Sequence, residues 1–387
     1  MLRGMTLSGA VCLTLATSLS AQSKTETAGL LVRLGNDTIA AERFTRSPGK
    51  IEGDLAALVP RPRLVHYVAT LNNKGVITRL ESVSQPYAAG APKQSAIAII
   101  GSDTVTEELR LGDSSWTQKI PVRPGSIPML SFSFALYEQV IKQALATGKD
   151  SVNVDLVFMG PNRAFATAVA KHGPDSMMVE YFGNPAYVKI DKQGRLLSWN
   201  GLATTQKFLV DRLPTVNVDT YGKAWAARES SGEAVGPLSP RDTVRAAVGS
   251  AQLLVDYGRP RRRGRVIFGD VVPYGAVWRT GANAATGFTT TKDVVINGVT
   301  VPAGDYTLWT VPEANGGQLI INSQTKQWGT EYDASKDFAK VPLQQEKLSE
   351  PLEQFTITIV PDSTGTSAVL HMDWEQTRFT ATIAVKP

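Results

Sequence analysis

GLLVRLGNDTIAAERF, residues 29–44, decides how the first half of this chain is read. Two short apolar runs flank Gly35-Asn36-Asp37, and that composition reads as two strands joined by a tight turn. The same pattern returns downstream. RLVHYVATLNNKGVITRLESV (63–83) is a hairpin around Asn72-Asn73-Lys74-Gly75, and PAYVKIDKQGRLLSWNG (185–201) is another around Asp191-Lys192-Gln193-Gly194. One segment breaks the rhythm. SFSFALYEQVIKQALATG (131–148) sets Phe134, Tyr137, Ile141 and Leu145 at helical spacing, with Gly148 as the stop. The first half therefore reads as an α+β antiparallel sheet with one packed helix.

Beyond a Ser, Gly and Pro cluster starting near Glu229, almost everything alternates. Strands are expected over 243–248, 251–258, 286–291, 299–302, 304–311, 317–322, 354–360, 367–374 and 377–385. Asn297-Gly298 marks a hairpin and Pro302-Ala303-Gly304-Asp305 a turn. No helix-period stretch appears, so this half reads as a β-sandwich, jelly-roll-like. The expected division is a signal peptide over 1–21, a sheet domain over 22–228, a linker over 229–237 and a sandwich domain over 238–387. The fold class is mainly β.

The start, MLRGMTLSGAVCLTLATSLSAQS, has a single charge, Arg3, before an apolar run and then small residues. That is the grammar of a secretory leader cleaved after Ser20 or Ala21, and it implies a periplasmic or secreted protein. The apolar run is short for a membrane span, and no transmembrane segment is expected after cleavage. The only cysteine, Cys12, lies in this leader, and Val11 before it spoils a lipidation signal. The mature chain then has no disulfide, no cysteine nucleophile and no cysteine metal site.

With 387 residues, 42% hydrophobic and 19% charged, the chain is long enough for two cores and too apolar for wholesale disorder. Its net charge of +5 is too thin for a nucleic-acid protein. Residues 237–387 hold 15 Lys/Arg against 15 Asp/Glu, yet five of those arginines crowd into GRPRRRGR, 258–265. Arg259, Arg261, Arg262, Arg263 and Arg265 can grip phosphate, sulfate or carboxylate with guanidinium forks, or can form a solvated turn.

The stretch richest in binding chemistry is VPYGAVWRTGAN, 272–283. Trp278 offers a broad face, Arg279 and Asn283 offer donors, and glycines let backbone approach closely. The structural alternative makes Trp278 core, pairs Arg279 with Asp256 or Glu353, and has Asn283 cap a turn. His66, His172 and His371 lie far apart and form no metal motif. His371 and Asp373 alternate onto one strand face, the weak candidates for acid–base catalysis. No GxSxG elbow, phosphate loop or dinucleotide fingerprint occurs, so no cofactor is expected.

SPRDTVRAAVGSAQLLVDYGRP, GRVIFGDVVPYGAVWRTGANAAT and INGVTVPAGDYTLWTVP occur in that order, with Tyr257-x-Arg259-Pro260, Gly264-Arg265 and Trp278-Arg279-Thr280-Gly281-Ala282-Asn283 as the core motif. Residues 238–385 resemble the bacterial family known as domain of unknown function 2911. The resemblance implies exported β-rich proteins with no assigned activity, substrate or catalytic residues. The first half is loosely similar to the curved half-barrels of periplasmic lipid carriers, a likeness of fold alone.

The expectation is an exported two-domain protein whose sandwich binds a polar, anionic or glycan-like ligand. Tyr257, Arg259, Arg265, Trp278, Arg279 and Asn283 are its lining and Glu353 a charge partner. Three alternatives stand beside it: a cell-envelope hydrolase using carboxylates or His371 with Asp373, a lipid carrier with a hollow under the 131–147 helix, and a structural module.

Overall fold

The computed structural model describes residues 25–231 and 237–385. The expected leader over 1–21, Cys12 included, lies outside the described residues, as do 232–236 of the expected linker. The chain is mainly β, with 58% of the described residues in strands. Among the described residues no helix is long and apolar enough to cross a membrane.

The first half builds a 15-stranded sheet from hairpins. Its first eight strands, Glu26–Leu34 through Ser114–Pro121, each pair with the next. The other seven start at the opposite edge with Ile127–Met129 and step back until Leu209–Leu213 pairs with Glu26–Leu34. The 29–44 stretch behaves as its composition demands. Leu34 pairs with Asp37, leaving Gly35 and Asn36 as a two-residue turn, and Gly35 takes φ +59.

Only one pair in this sheet is parallel, Ile127–Met129 with Ser151–Phe158. Parallel neighbours need a crossover, and helix α1, Phe134–Ala146, supplies it. Phe134, Leu136, Tyr137, Val140 and Ile141 of α1 are buried and join the core of the sheet. These side chains fill the space directly beneath α1, and Tyr137 alone of α1 stands at the rim of a smaller hollow beside the helix. The helix start is held from a distant strand. The buried Glu42 carboxylate accepts from the amides of Phe134 at 2.8 Å and Ala135 at 3.0 Å, and from Ser133 Oγ and Tyr67 Oη, both at 2.6 Å. Burial pushes the Glu42 carboxyl upward, and these four hydrogen bonds oppose the rise.

A second helix, α2, Val218–Ser230, occupies the segment expected to run into the linker. Asn217 caps it by accepting from the Thr220 amide. Its apolar periodicity is poor because only Val218, Gly222 and Trp225 are buried, which hides it from a pattern search.

The second half is a nine-stranded sheet around a separate core. Arg241–Val248, Ala251–Gly258, Thr286–Thr290, Gly304–Glu313 and Gly316–Asn322 follow one another across it. The 25-residue strand Asp337–Pro361 then carries the sheet round a corner. Its first part pairs with Gly316–Asn322 and its later part with Ser367–Val385, with register shifts between Lys347, Leu352 and Thr356. The hairpin Val294–Ile296 and Val299–Val301 closes the far edge. Two sheet faces joined through one long strand therefore enclose the core, and Arg241–Val248 packs back on Asp337–Pro361.

Candidate functional site: a cationic, aromatic cleft between the two sheets

The 272–283 stretch is a loop stitched to Gly304–Glu313. Trp278 and Thr310 exchange backbone hydrogen bonds of 2.7 and 2.8 Å, and the Gly275 amide donates to Pro312 O at 2.9 Å. Between these anchors the chain turns sharply, with Thr280 at φ +52 and Asn283 at φ +64. Thr286 Oγ1 holds the bend by donating to Thr280 O at 2.7 Å. A second loop supports the first: the Gly329 amide donates to Asn283 O at 2.9 Å, which sets Trp328 beside it.

These loops form one wall of a cleft of about 990 Å³, and the first half forms the other wall. That volume is at the upper end for a small-molecule site. Its charged lining is one-sided. Arg163, Lys207, Arg261, Arg263, Arg265 and Arg279 line it, and no Asp or Glu does. Phe132, Phe165, Phe182, Trp278 and Trp328 supply apolar faces.

Arg279 is the least compensated of these cations. Among the described residues it has no hydrogen-bond or ion-pair partner, and its buried Nε is unsatisfied. Burial alone drives its guanidinium below the usual arginine range. The carboxylates expected to pair with it are engaged elsewhere. Asp256 binds Arg241 at 2.8 Å, and Glu353 Oε1 accepts from the Arg263 amide at 2.9 Å. The Arg279 stem lies so close to Gly329 that a Cβ there would collide with it.

The arginine run divides along the same line. Arg259 and Arg262 face carboxylates within the second half, Asp242 at 2.9 Å and Glu375 at 3.6 Å. Arg263 reaches across to Asp37, while its carbonyl accepts from the Asn36 amide at 3.0 Å, so the two halves are tied at this point. Arg265 donates only to the carbonyls of Arg262 and Arg261, at 2.9 and 2.6 Å, and burial lowers its guanidinium too.

Backbone strain concentrates here as well. Nine non-glycine residues have positive φ among the described residues, and five of them, Phe132, Phe182, Lys207, Arg263 and Asn283, line the cleft. Strained conformations persist where surrounding structure over-determines them, typically at binding and catalytic sites.

Of the seven residues expected at a ligand, the structure brings Arg265, Trp278, Arg279 and Asn283 to the cleft. Trp278 does so as a wall: its indole stacks on Trp374 at 5.9 Å and 20°, and its Nε1 donates to Gly281 O at 3.1 Å. The other three require correction. Tyr257 points into the core by strand alternation, and its hydroxyl accepts from the Ile357 amide at 2.9 Å. Arg259 is used up by Asp242, Phe355 O and Thr356 Oγ1. Glu353 braces the arginine loop through the Arg263 and Arg262 amides.

The His371–Asp373 pair does not assemble. Both Asp373 oxygens accept from Arg378, at 2.9 and 2.7 Å, and His371 Nδ1 is buried without a hydrogen bond. Burial first, then Arg378, depresses the His371 pKa. Neither residue lines the cleft. Among the described residues no group of three or more His, Cys, Asp or Glu could hold a metal ion.

Sequence reasoning missed the opposite wall. Arg163 lies 4.5 Å over the Phe165 ring, and Phe182 projects from a hairpin turn, but nothing in one sequence links them to Arg279.

Comparison with known proteins adds the following. No curated protein matches the chain. Among solved structures, a DUF1089 family protein from Pseudomonas aeruginosa aligns at 13% identity with a TM-score of 0.35, covering 44% of this chain and 93% of that one. A beta-barrel-like protein of domain of unknown function DUF1849 from Brucella abortus aligns at 11% identity, TM-score 0.30, covering 49% and 94%. The isotype 1 transferrin binding protein B from Neisseria meningitidis gives 8% identity and a TM-score of 0.14, over 95% and 77%. The C-terminal segment, residues 239–383, matches the family described as Protein of unknown function (DUF2911).

Proposed function

We propose that this chain is an exported binding protein that holds an anionic ligand in the cleft between its sheets, with Arg279 as the anchor. The observation that carries this reading is the lining itself: six cationic side chains, no carboxylate, and the half-buried Arg279 guanidinium, whose Nε is buried without a partner. Removing a charge from water without pairing it is costly. A bound carboxylate, sulfate or phosphate offsets that cost by satisfying the fork in two-point fashion. The leader-like start of the sequence supports a place outside the cytoplasm.

The test is a titration of the chain from residue 22 with 8-anilinonaphthalene-1-sulfonate, an aromatic anion whose fluorescence reports burial. Saturable binding is expected for the wild type, with a loss of at least tenfold in affinity for Arg279→Met. Equal binding by the two proteins overturns the reading.

A further inference from the structure

The cleft does not end at its cationic wall. A second hollow of about 390 Å³ adjoins it beside α1 and shares Arg163, Phe165, Phe182 and Trp328 with it. Its remaining walls include Tyr137, Leu156 and Phe158, and they carry Glu180 as the one carboxylate. The charge pattern therefore changes along the cavity, from cations only to aromatic faces with one cation, Arg163, and one carboxylate, Glu180. An anionic group is favoured at the Arg279 end, where no carboxylate lines the wall, over the α1 end, where Glu180 offsets Arg163.

Phe182 stands where the two spaces meet. Tyr181 pairs with Asn184, so Phe182 and Gly183 are the two residues of a hairpin turn, at φ +48 and +80. A turn with both central residues at positive φ favours Asn, Asp or Gly in the first place. Phenylalanine is a poor choice there for the fold. Its ring nevertheless packs on Phe158 at 5.7 Å, Phe165 at 5.0 Å and Tyr181 at 4.8 Å, while 41% of the residue stays exposed. Trp328, 51% exposed, borders the same hollow from the second half. Two large exposed aromatics at the junction, one held against its turn preference, fit an apolar group passing between them.

We propose that the ligand is an amphipathic anion: its charged group binds at Arg279 and a single alkyl or aryl chain runs past Phe182 and Trp328 into the hollow beside α1. This rests on the anion-binding reading above, and the test separates the two. The probes are butyl, octyl and dodecyl sulfate, each below its micellar concentration, measured by calorimetry against the chain from residue 22.

Affinity is expected to rise with chain length, approaching about fourfold per methylene where burial is complete. Phe182→Asn suits the turn, so it should keep or raise Tm while flattening that dependence, weakening dodecyl sulfate far more than butyl sulfate. Trp328→Ala should flatten it from the other wall. Arg279→Met should weaken all three probes alike. If butyl sulfate binds through Arg279 and dodecyl sulfate binds no tighter, the chain subsite is wrong and the anion site stands. If none binds, the anion site fails as well. Displacement of dodecyl sulfate by monomeric lysophosphatidylglycerol assigns the chain to a membrane-derived lipid, and displacement by monomeric laurate assigns it to a free amphiphile. Failure of both competitors overturns the proposal.

Discussion

At the scale of the residue, Arg279 separates stability from binding. A half-buried guanidinium without a partner contributes little to the fold beyond the packing of its stem. Arg279→Met keeps that stem and removes the charge. Urea denaturation should show a stability unchanged or raised by up to about 1 kcal/mol, alongside the loss of anion binding. His371 makes the second prediction. Burial holds its folded pKa below the ordinary value, so the unfolded chain takes up the proton first as pH falls. Stability should be insensitive to this group above about pH 6.5 and decline below it, levelling off beneath the folded pKa. His371→Gln should remove that part of the acid slope in denaturation curves taken from pH 7.5 to 4.5. An unaltered slope would mean that His371 protonates as freely in the folded chain.

At the scale of the element, both helices depend on contacts that no helix pattern contains. Helix α1 begins on Glu42, which lies 91 residues before Ser133 in the chain. Glu42→Leu would strand two buried amides and two hydroxyls, and a loss of about 3 kcal/mol or more is expected. Glu42→Gln, keeping an acceptor, should lose clearly less. Helix α2 carries Gly222 in its interior, where alanine is ordinarily better by about 1 kcal/mol. Here a Cβ would enter the Tyr87 ring, so Gly222→Ala should destabilise and Tyr87→Ala should restore it in the double variant. Additive losses in that cycle would show that the two do not touch. The sequence periodicity of 131–148 made α1 legible because its buried face is continuous. Helix α2 was hidden because it buries so little.

For the whole molecule, the cleft exists only because the halves meet. The turn at Gly35-Asn36 seats against the arginine run: Gly35 abuts Arg263 O, and Gly264 abuts the Asn36 side chain. Arg263→Ala removes the ion pair to Asp37 at this junction. It should weaken anion binding several-fold with a stability change near 1 kcal/mol, since Asp37 is partly exposed. A cleft lined by cations, of which only Arg263 is ion-paired among the described residues, also predicts a marked salt dependence. Anion affinity should fall steadily between 20 and 500 mM NaCl, as exposed cations are screened within about 10 Å at 0.1 M. A flat response would mean that the probe binds through apolar contact alone.

Alternation, turn residues and one helical period were enough to read the mainly β character, the hairpins at 29–44, 63–83 and 185–201, and α1. These are local properties, set by residues within a few positions of one another. The composition of 272–283 likewise marked Trp278, Arg279 and Asn283, because a loop of aromatic, cationic and amide side chains has few uses in a core. What the sequence could not specify was which charges find each other. Tyr257 and Arg259 looked as promising as Arg279, and only the folded chain shows the first two consumed by Asp337–Pro361 and Asp242. Whether a cation is neutralised depends on carboxylates tens or hundreds of residues away. The tertiary structure alone decided that Arg279 is left without one, in a cleft also lined by aromatic rings from the opposite half of the chain.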